Sequence, residues 1–131
     1  MYQHVVLFRY EQEVGDDVHR RIHDYAERIR ASLDGIINYA YCRNLNSKSA
    51  DYPYAIIAAF ESVEAFAAYA EAPLHQQLVD FSMQYIGGIV IHDFESTAVP
   101  VGSEEGDETW RATRDRLKAL MSAESYDSYY S

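Results

Sequence analysis

The chain has 131 residues, of which 48% are hydrophobic, and a formal net charge of −10. That length and apolar content fit one folded domain with a single core, and they exclude a chain that is disordered throughout. The acidic residues are spread along the whole sequence without a basic stripe, so nucleic acid and anionic membrane surfaces are poor partners. No run approaches the ~20 apolar residues of a membrane span, and the first residues lack the basic and apolar regions of a signal peptide.

Cysteine usage points to a reducing compartment. Cys42 is the one cysteine in the sequence, which excludes an internal disulfide and a metal site built from several cysteines. We therefore expect a cytoplasmic protein, with Cys42 as a small strand residue.

Strand and helix signals alternate through the first 95 residues. The predicted elements, in chain order, are a strand over 3–10, a helix from 16 or 17 to about 33, strands over 36–44 and 54–60, helices over 63–70 and 73–86, and a strand over 89–95. Asp16 or Asp17 is expected to cap the first helix and Ser62 the second, while Gly35 and the pair Gly87–Gly88 are expected to end helices. This βαββαβ order predicts an α+β, ferredoxin-like fold, in which a four-stranded antiparallel sheet carries its helices on one face.

The strands are apolar on both faces of this predicted sheet. An antiparallel sheet covered on one side normally alternates apolar and polar residues. Here Val6 and Phe8 alternate with Val5 and Leu7, and the third and last strands show the same pattern. A second copy of the chain is the simplest cover for the open face, so we expect a homodimer. Covering by residues 99–131 is the alternative.

The sequence changes character after residue 98. PVGSEEGDE is an acidic linker, and Asp107 is expected to cap a helix that carries Trp110, Leu117 and Met121 at helical spacing. The last residues, ESYDSYYS, predict a frayed, tyrosine-rich tail. We therefore divide the chain into a domain of residues 1–98 and an extension of residues 99–131, which packs either on its own chain or on the partner.

The segment YAEAPLHQQLVDF, residues 69–81, predicts a break between two helices. Pro73 restricts Ala72 to extended geometry and itself suits the first position of a helix. At ~100° per residue, His75 falls inside the apolar stripe that contains Leu78 and Phe81. The imidazole of His75 is therefore expected to point into the protein.

Three parts of the sequence resemble the stress-responsive A/B barrel family of the dimeric α+β barrel superfamily. They are QHVVLFRY, YAIIAAFESVEAFAAY and APLHQQLVDF followed by GGIVIHDFE, and together they span about residues 2–97. The resemblance implies a homodimer whose two sheets pack face to face as a dimeric α+β barrel, with a small-molecule pocket between sheet and helices in each subunit. Members typically carry His-Pro-x-His where this chain has Ala72-Pro73-Leu74-His75, so the second histidine is kept and the first is replaced.

The resemblance also implies three site residues. In cyclase-like relatives, a histidine of the first strand and a tyrosine and a histidine of the helical bend line the pocket, and these positions match His4, Tyr69 and His75. A neutral imidazole can remove a proton from an acidic carbon, and a tyrosine hydroxyl can orient the imidazole or donate to a developing enolate. We expect His75 to dominate any catalysis because the first turn of a helix holds it and disfavours its charged form. Ligand contact without catalysis, and a purely structural role for His75, are the alternatives.

Other polar motifs carry weaker signals. His19 and His23 have the i, i+4 spacing of a metal-binding pair, but Arg20 stands where a zincin motif has glutamate, so a solvated helix flank is favoured. His92 and Asp93 are neighbours on a strand and point to opposite faces, so they are not a catalytic pair. The sequence predicts neither a cofactor nor a metal.

Two functions fit these observations. The first is a homodimeric protein that binds an aromatic or polyketide-like molecule without turnover. The second is a cofactor-free enzyme, cyclase/lyase or monooxygenase-like, that uses His75 as its general base. A structural protein whose pocket is filled by its own side chains is a third possibility.

Overall fold

The computed structural model describes residues 1–130, except for the side chain of Ser49. The elements, in chain order, are β1 (Tyr2–Tyr10), α1 (Asp16–Ser32), β2 (Ile36–Arg43), β3 (Tyr54–Phe60), α2 (Val63–Glu71), α3 (Pro73–Met83), β4 (Ile86–Glu95), α4 (Glu104–Leu120) and α5 (Ala123–Tyr130), with a short 3₁₀ turn at Ser47–Ser49. The first seven follow the predicted βαββαβ order, with the second helical segment divided in two.

The four strands form one antiparallel sheet in the order β2-β3-β1-β4. This is the ferredoxin-like arrangement predicted from the sequence. β1 lies between β3 and β4, and its register places His4 opposite Ala58 on one side and opposite Asp93 on the other. Residues directly opposite on antiparallel strands share a face of the sheet. His4 and Asp93 therefore point to the same side.

Helices α1, α2 and α3 lie over one face of the sheet. Apolar residues recur at helical spacing in α1, so Ile22 and Ile29 are buried against the core. On α2, Phe66 is fully buried and packs edge-on against Phe60 of β3, with 5.4 Å between the ring centroids. The core therefore lies between the helices and the sheet face that carries His4.

Pro73 separates two helices, as predicted. Ala72 is extended, with φ −66° and ψ 138°, and α3 begins at Pro73. The Ser62 hydroxyl oxygen accepts a hydrogen bond from the backbone N–H of Ala65 at 3.1 Å, which caps α2 as expected. The break places His75 in the first turn of α3, where it is 4% exposed.

Two predicted helix starts are wrong. α1 is preceded by Gly15 without a side-chain cap, and Asp16 is its first residue. The hydroxyl oxygen of Ser103, rather than Asp107, caps α4 by accepting from a backbone N–H of its first turn. Aspartates near a helix start are also stabilised inside the first turn by the helix dipole, so sequence alone does not separate the two placements.

The expected role of the glycine pair is also wrong. Gly87 and Gly88 do not end α3 but lie inside β4, next to a register irregularity at Arg9 and Tyr10. A Cβ atom on Gly87 would stand 2.8 Å from the Cα atom of Glu11. Glycine is required here because two backbones approach closely.

The second face of the sheet is apolar and uncovered in the single chain. Leu7, Val90 and Phe94 lie on it and are 37%, 42% and 45% exposed. Residues 99–130 leave these side chains accessible, so the second copy of the chain remains the candidate to cover them.

The C-terminal extension packs on the helical layer of its own chain. α4 contacts α2 and buries Leu117 and Met121, while Trp110 stays exposed. The prediction of a frayed tail is wrong, because residues 123–130 form α5 and their tyrosines reach the core. Within residues 1–130, no helix combines the length and apolar character needed to cross a membrane.

Candidate functional site

A cavity of about 240 Å³ lies between the sheet and the helices α3 and α5. Most of its wall is apolar and comes from β1, β3, β4, α1 and α3: Val6, Phe8, Ile22, Ile56, Leu78, Val79, Met83, Ile86, Ile89 and Ile91. Its polar lining consists of His4, Tyr39, Tyr69, His75, Gln76, Ser82, Ser128 and Tyr129. Met83 and Ile89 are about half exposed, so the mouth lies between α3 and β4.

His75 is fixed by hydrogen bonds on both ring nitrogens. Its Nδ1 lies 3.0 Å from the carbonyl oxygen of Ala70, and since a carbonyl can only accept, Nδ1 carries the proton. Its Nε2 is therefore an acceptor, and the hydroxyl of Tyr129 donates to it at 2.6 Å. Burial is the main cause that lowers the pKa of His75 from 6.5 to about 4; the nearby His4 acts in the same direction, and the bond to Ala70 opposes them. His75 is therefore neutral at pH 7.

His4 forms a buried pair with Asp93. The Nδ1 of His4 lies 2.5 Å from Oδ1 of Asp93, and both side chains are almost inaccessible. The hydroxyls of Tyr130 and Tyr2 donate to the other carboxylate oxygen at 2.6 Å and 3.2 Å. A carboxylate on Nδ1 holds the imidazole in one tautomer, so Nε2 of His4 is the nitrogen left for a ligand in the cavity.

Tyr69 stands between the two histidines. Its ring centroid is 4.2 Å from that of His75 and 6.0 Å from that of His4. Its hydroxyl shares a 2.7 Å hydrogen bond with the hydroxyl of Tyr39. Burial raises the pKa values of Tyr69 and Tyr129 well above the usual range, so both remain neutral hydrogen-bonding groups.

All three residues expected at the site, His4, Tyr69 and His75, line the same cavity. Their chemical roles stay predictions. The sequence reasoning missed two residues that bond to the histidines, Asp93 and Tyr129. Asp93 could have been found, because it is an acidic residue at a position of an apolar strand where alternation directs the side chain towards the helices. Nothing in the composition of the tail indicated that Tyr129 packs against the core.

The two histidines of the weaker metal motif lie in different surroundings. The Nδ1 of His19 is 2.8 Å from the hydroxyl of Tyr41, and His23 is exposed on α1. In the described part of the chain, no group of three or more His, Cys, Asp or Glu side chains is arranged to hold a metal ion. As the sequence predicted, His92 points to the open face of the sheet and is not the partner of Asp93.

Comparison of the sequence with protein families decides the classification. The stress responsive A/B barrel domain (Dabb) matches residues 2–96. The chain belongs to the Dabb family. None of the curated protein sequences matches this Dabb chain significantly.

Solved structures similar to this Dabb chain share its fold. A dimeric ferredoxin-like protein of unknown function from Jannaschia sp. is 25% identical, with 72% of this chain and 98% of that chain covered and a TM-score of 0.65. A Dabb family protein from Mesorhizobium loti is 20% identical, with coverage of 77% and 97% and a TM-score of 0.61. The hydroxynitrile lyase from Passiflora edulis is 14% identical, with coverage of 76% and 95% and a TM-score of 0.66.

Proposed function

We propose that this Dabb protein is a homodimer that binds a small, neutral, hydroxylated aromatic molecule in the cavity of each subunit. The observation that carries the proposal is an apolar cavity of about 240 Å³ whose polar end contains two histidines. An apolar cavity of ~150 Å³ accommodates benzene. The larger volume here therefore has room for one aromatic ring with a few substituents.

The hydrogen-bonding groups of the cavity favour a ligand that donates a proton. Nδ1 of His4 is bonded to Asp93, so its Nε2 offers a lone pair. Nε2 of His75 is already bonded to Tyr129, which leaves an acceptor oxygen on that hydroxyl. A phenolic O–H can donate to such acceptors, whereas an aryl ether cannot.

Charge favours a neutral ligand over a carboxylate. Asp93 lies behind His4, and the whole chain carries a formal net charge of −10. Repulsion between like charges strengthens where water is excluded.

The sole thiol, Cys42, supports a reducing cytoplasm as the location.

The open face of the sheet supports the homodimer. Leu7, Val90 and Phe94 form an exposed apolar patch, and the similar protein from Jannaschia sp. is a dimer of this fold. Pairing two such faces would bury the ~2,000 Å² or more that is typical of obligate dimers.

Isothermal titration calorimetry with three related probes tests the proposed ligand class. We expect 3-methylphenol to bind with one site per subunit, and 3-methylanisole and 3-methylbenzoate to bind at least ~5-fold more weakly, because each lacks the neutral donor. His4→Phe should remove the preference for the phenol, and His23→Phe, at an exposed position on α1, is the matched control. Equal affinity for phenol and ether, or no binding of any probe, would contradict the proposal.

A cofactor-free enzyme, cyclase/lyase or monooxygenase-like, is the second candidate. The pairing of Asp93 with His4, which lines the cavity, favours it, because a carboxylate on Nδ1 stabilises the imidazolium that forms when Nε2 takes a proton. In this reaction the substrate's C–H bond breaks, Nε2 takes the proton, and the electron pair moves to an adjacent carbonyl oxygen. The hydroxyl of Tyr69, which lines the same cavity, would donate to that oxygen.

The geometry favours His4 over His75 as this base. The sequence pointed to His75, but Tyr129 occupies its Nε2 and burial lowers its pKa to about 4, which makes it a weak base. With a substrate in hand, His4→Gln should lose ~10²–10⁴-fold in kcat, and His75→Gln should lose less. A larger loss from His75→Gln, in a variant with normal circular dichroism, would restore His75 as the base.

A further inference from the structure

Helix α5 brings a tyrosine into the cavity from outside the family domain. The Dabb match ends at residue 96, whereas α5 covers Ala123–Tyr130. Two of its residues, Ser128 and Tyr129, line the cavity beside His4 and His75. The wall at this point therefore belongs to the extension of this chain.

Helix α5 contacts the core through both aromatic rings and hydroxyl groups, and the ring of Tyr129 packs edge-on against Phe66 with 6.0 Å between the centroids. None of its residues is buried. Tyr129 donates to Nε2 of His75, and Tyr130 donates to Asp93, the partner of His4. At the start of the helix, the backbone N–H of Ser122 donates to the carboxylate of Glu71 at 2.6 Å. The two phenols thus attach α5 to His75 itself and to Asp93, the residue that holds His4.

The hydrogen bond from Tyr129 changes what the cavity offers to a ligand. A tyrosine hydroxyl has one proton and two lone pairs. Its proton is used on His75, so the oxygen faces the cavity as an acceptor. Both ring nitrogens of His75 already have hydrogen-bond partners, so the acceptor offered to a ligand here is the hydroxyl oxygen of Tyr129 and not the imidazole. About 240 Å³ remains with the helix in place, so Tyr129 forms a wall of the cavity without filling it.

We propose that Tyr129 is a specificity-determining residue, whose hydroxyl, oriented by His75, accepts the hydrogen bond of a phenolic ligand in the cavity. This inference rests on the proposed function and adds one residue to the site. It predicts that removing a single oxygen atom from the extension reduces the affinity for phenols and leaves the affinity for apolar rings unchanged.

Calorimetry on the full-length protein tests the inference with 3-methylphenol and toluene. Tyr129→Phe keeps the ring and should weaken the affinity for 3-methylphenol ~3–10-fold, which corresponds to the loss of one hydrogen bond. The affinity for toluene should change less than ~2-fold. Tyr126→Phe, on the same helix but outside the cavity lining, is the matched control. An equal loss for both probes would show only a structural role, and tighter binding of 3-methylphenol would show that Tyr129 competes with the ligand. Either result overturns the inference.

A second readout needs no ligand. The titratable groups that face the His75 ring come from three elements, namely His4 on β1, Tyr69 on α2 and Tyr129 on α5. The Tyr129 hydroxyl can donate to Nε2 of His75 only while that nitrogen is unprotonated, so this bond stabilises the neutral ring. Tyr129→Phe removes the bond, and the pKa of His75 in a nitrogen-15 NMR titration should therefore rise. An unchanged pKa would also overturn the inference. If wild-type protein binds neither probe, the proposed function fails; if it binds 3-methylphenol and Tyr129→Phe binds it equally well, only this inference fails.

Discussion

The buried His75 should make the protein less stable as the pH falls below 7. Burial lowers its pKa from 6.5 to about 4 in the folded chain, whereas the unfolded chain keeps the ordinary value. Between these two pKa values the unfolded chain binds a proton that the folded chain does not. The free energy of unfolding therefore decreases as the pH falls from about 7 towards 4.

The size of this effect follows from the two pKa values. At pH 7 both states are mainly neutral at His75, and the contribution is small. At pH 5 the unfolded imidazole is almost fully protonated and the folded one is not. The linkage relation then gives a loss of ~2 kcal/mol between pH 7 and pH 5 from this one residue, which is a large part of the 5–15 kcal/mol typical of a domain.

Urea unfolding of wild type and His75→Gln at pH 7.0 and 5.0 measures this contribution. Glutamine keeps an amide donor for the carbonyl of Ala70 but does not titrate. Between pH 7.0 and 5.0 the free energy of unfolding should therefore fall by ~2 kcal/mol less in the variant than in wild type. The protein concentration must be fixed, because the stability of a dimer depends on it. The control is His23→Gln, which removes an exposed imidazole from α1. Identical pH dependence in wild type and His75→Gln would refute the argument that the ring is buried and neutral.

Two further variants test the polar network and the open face. Asp93→Asn should lower the free energy of unfolding by ~2–4 kcal/mol, because His4 and two phenols lose a charged acceptor. Urea unfolding measures this loss, with Asp80→Asn, at an exposed position on α3, as the control. Equal losses in the two variants would contradict the prediction. Leu7→Asp should convert the dimer to a folded monomer in analytical ultracentrifugation, because it puts a charge in the middle of the apolar patch. Leu45→Asp, in a fully exposed loop position, should leave the dimer intact, and a Leu7→Asp dimer of unchanged affinity would exclude this face.

The sequence was sufficient for the parts of the fold that depend on local periodicity. Strand residues of β3 and the break at Pro73 could be read from neighbouring residues, because alternation, helical spacing and proline geometry act over a few positions. The inward direction of His75 followed from the same helical spacing. Helix starts were less predictable, since Asp16 and Asp107 are compatible with either a cap or a first-turn position.

The site contacts that were missed depend on long-range geometry. Asp93 pairs with His4 through the register of two strands that are 89 residues apart in sequence. Such a register is set by the whole sheet and not by local sequence. Tyr129 was missed because a short, polar, tyrosine-rich segment predicts a frayed end, whereas the hydroxyl groups of α5 find buried acceptors on His75 and Asp93.

Nitrogen-15 NMR of the histidine rings during a titration with 3-methylphenol observes the proposed acceptor, Nε2 of His4, directly. We expect the Nε2 resonance of His4 to move upfield and to saturate with one phenol per subunit, because its lone pair becomes hydrogen-bonded. The same titration with 3-methylanisole should leave it in place, and the resonances of His92 on the open face should not move with either probe. Saturable binding of 3-methylphenol without a change at His4 would show that His4 is not the acceptor.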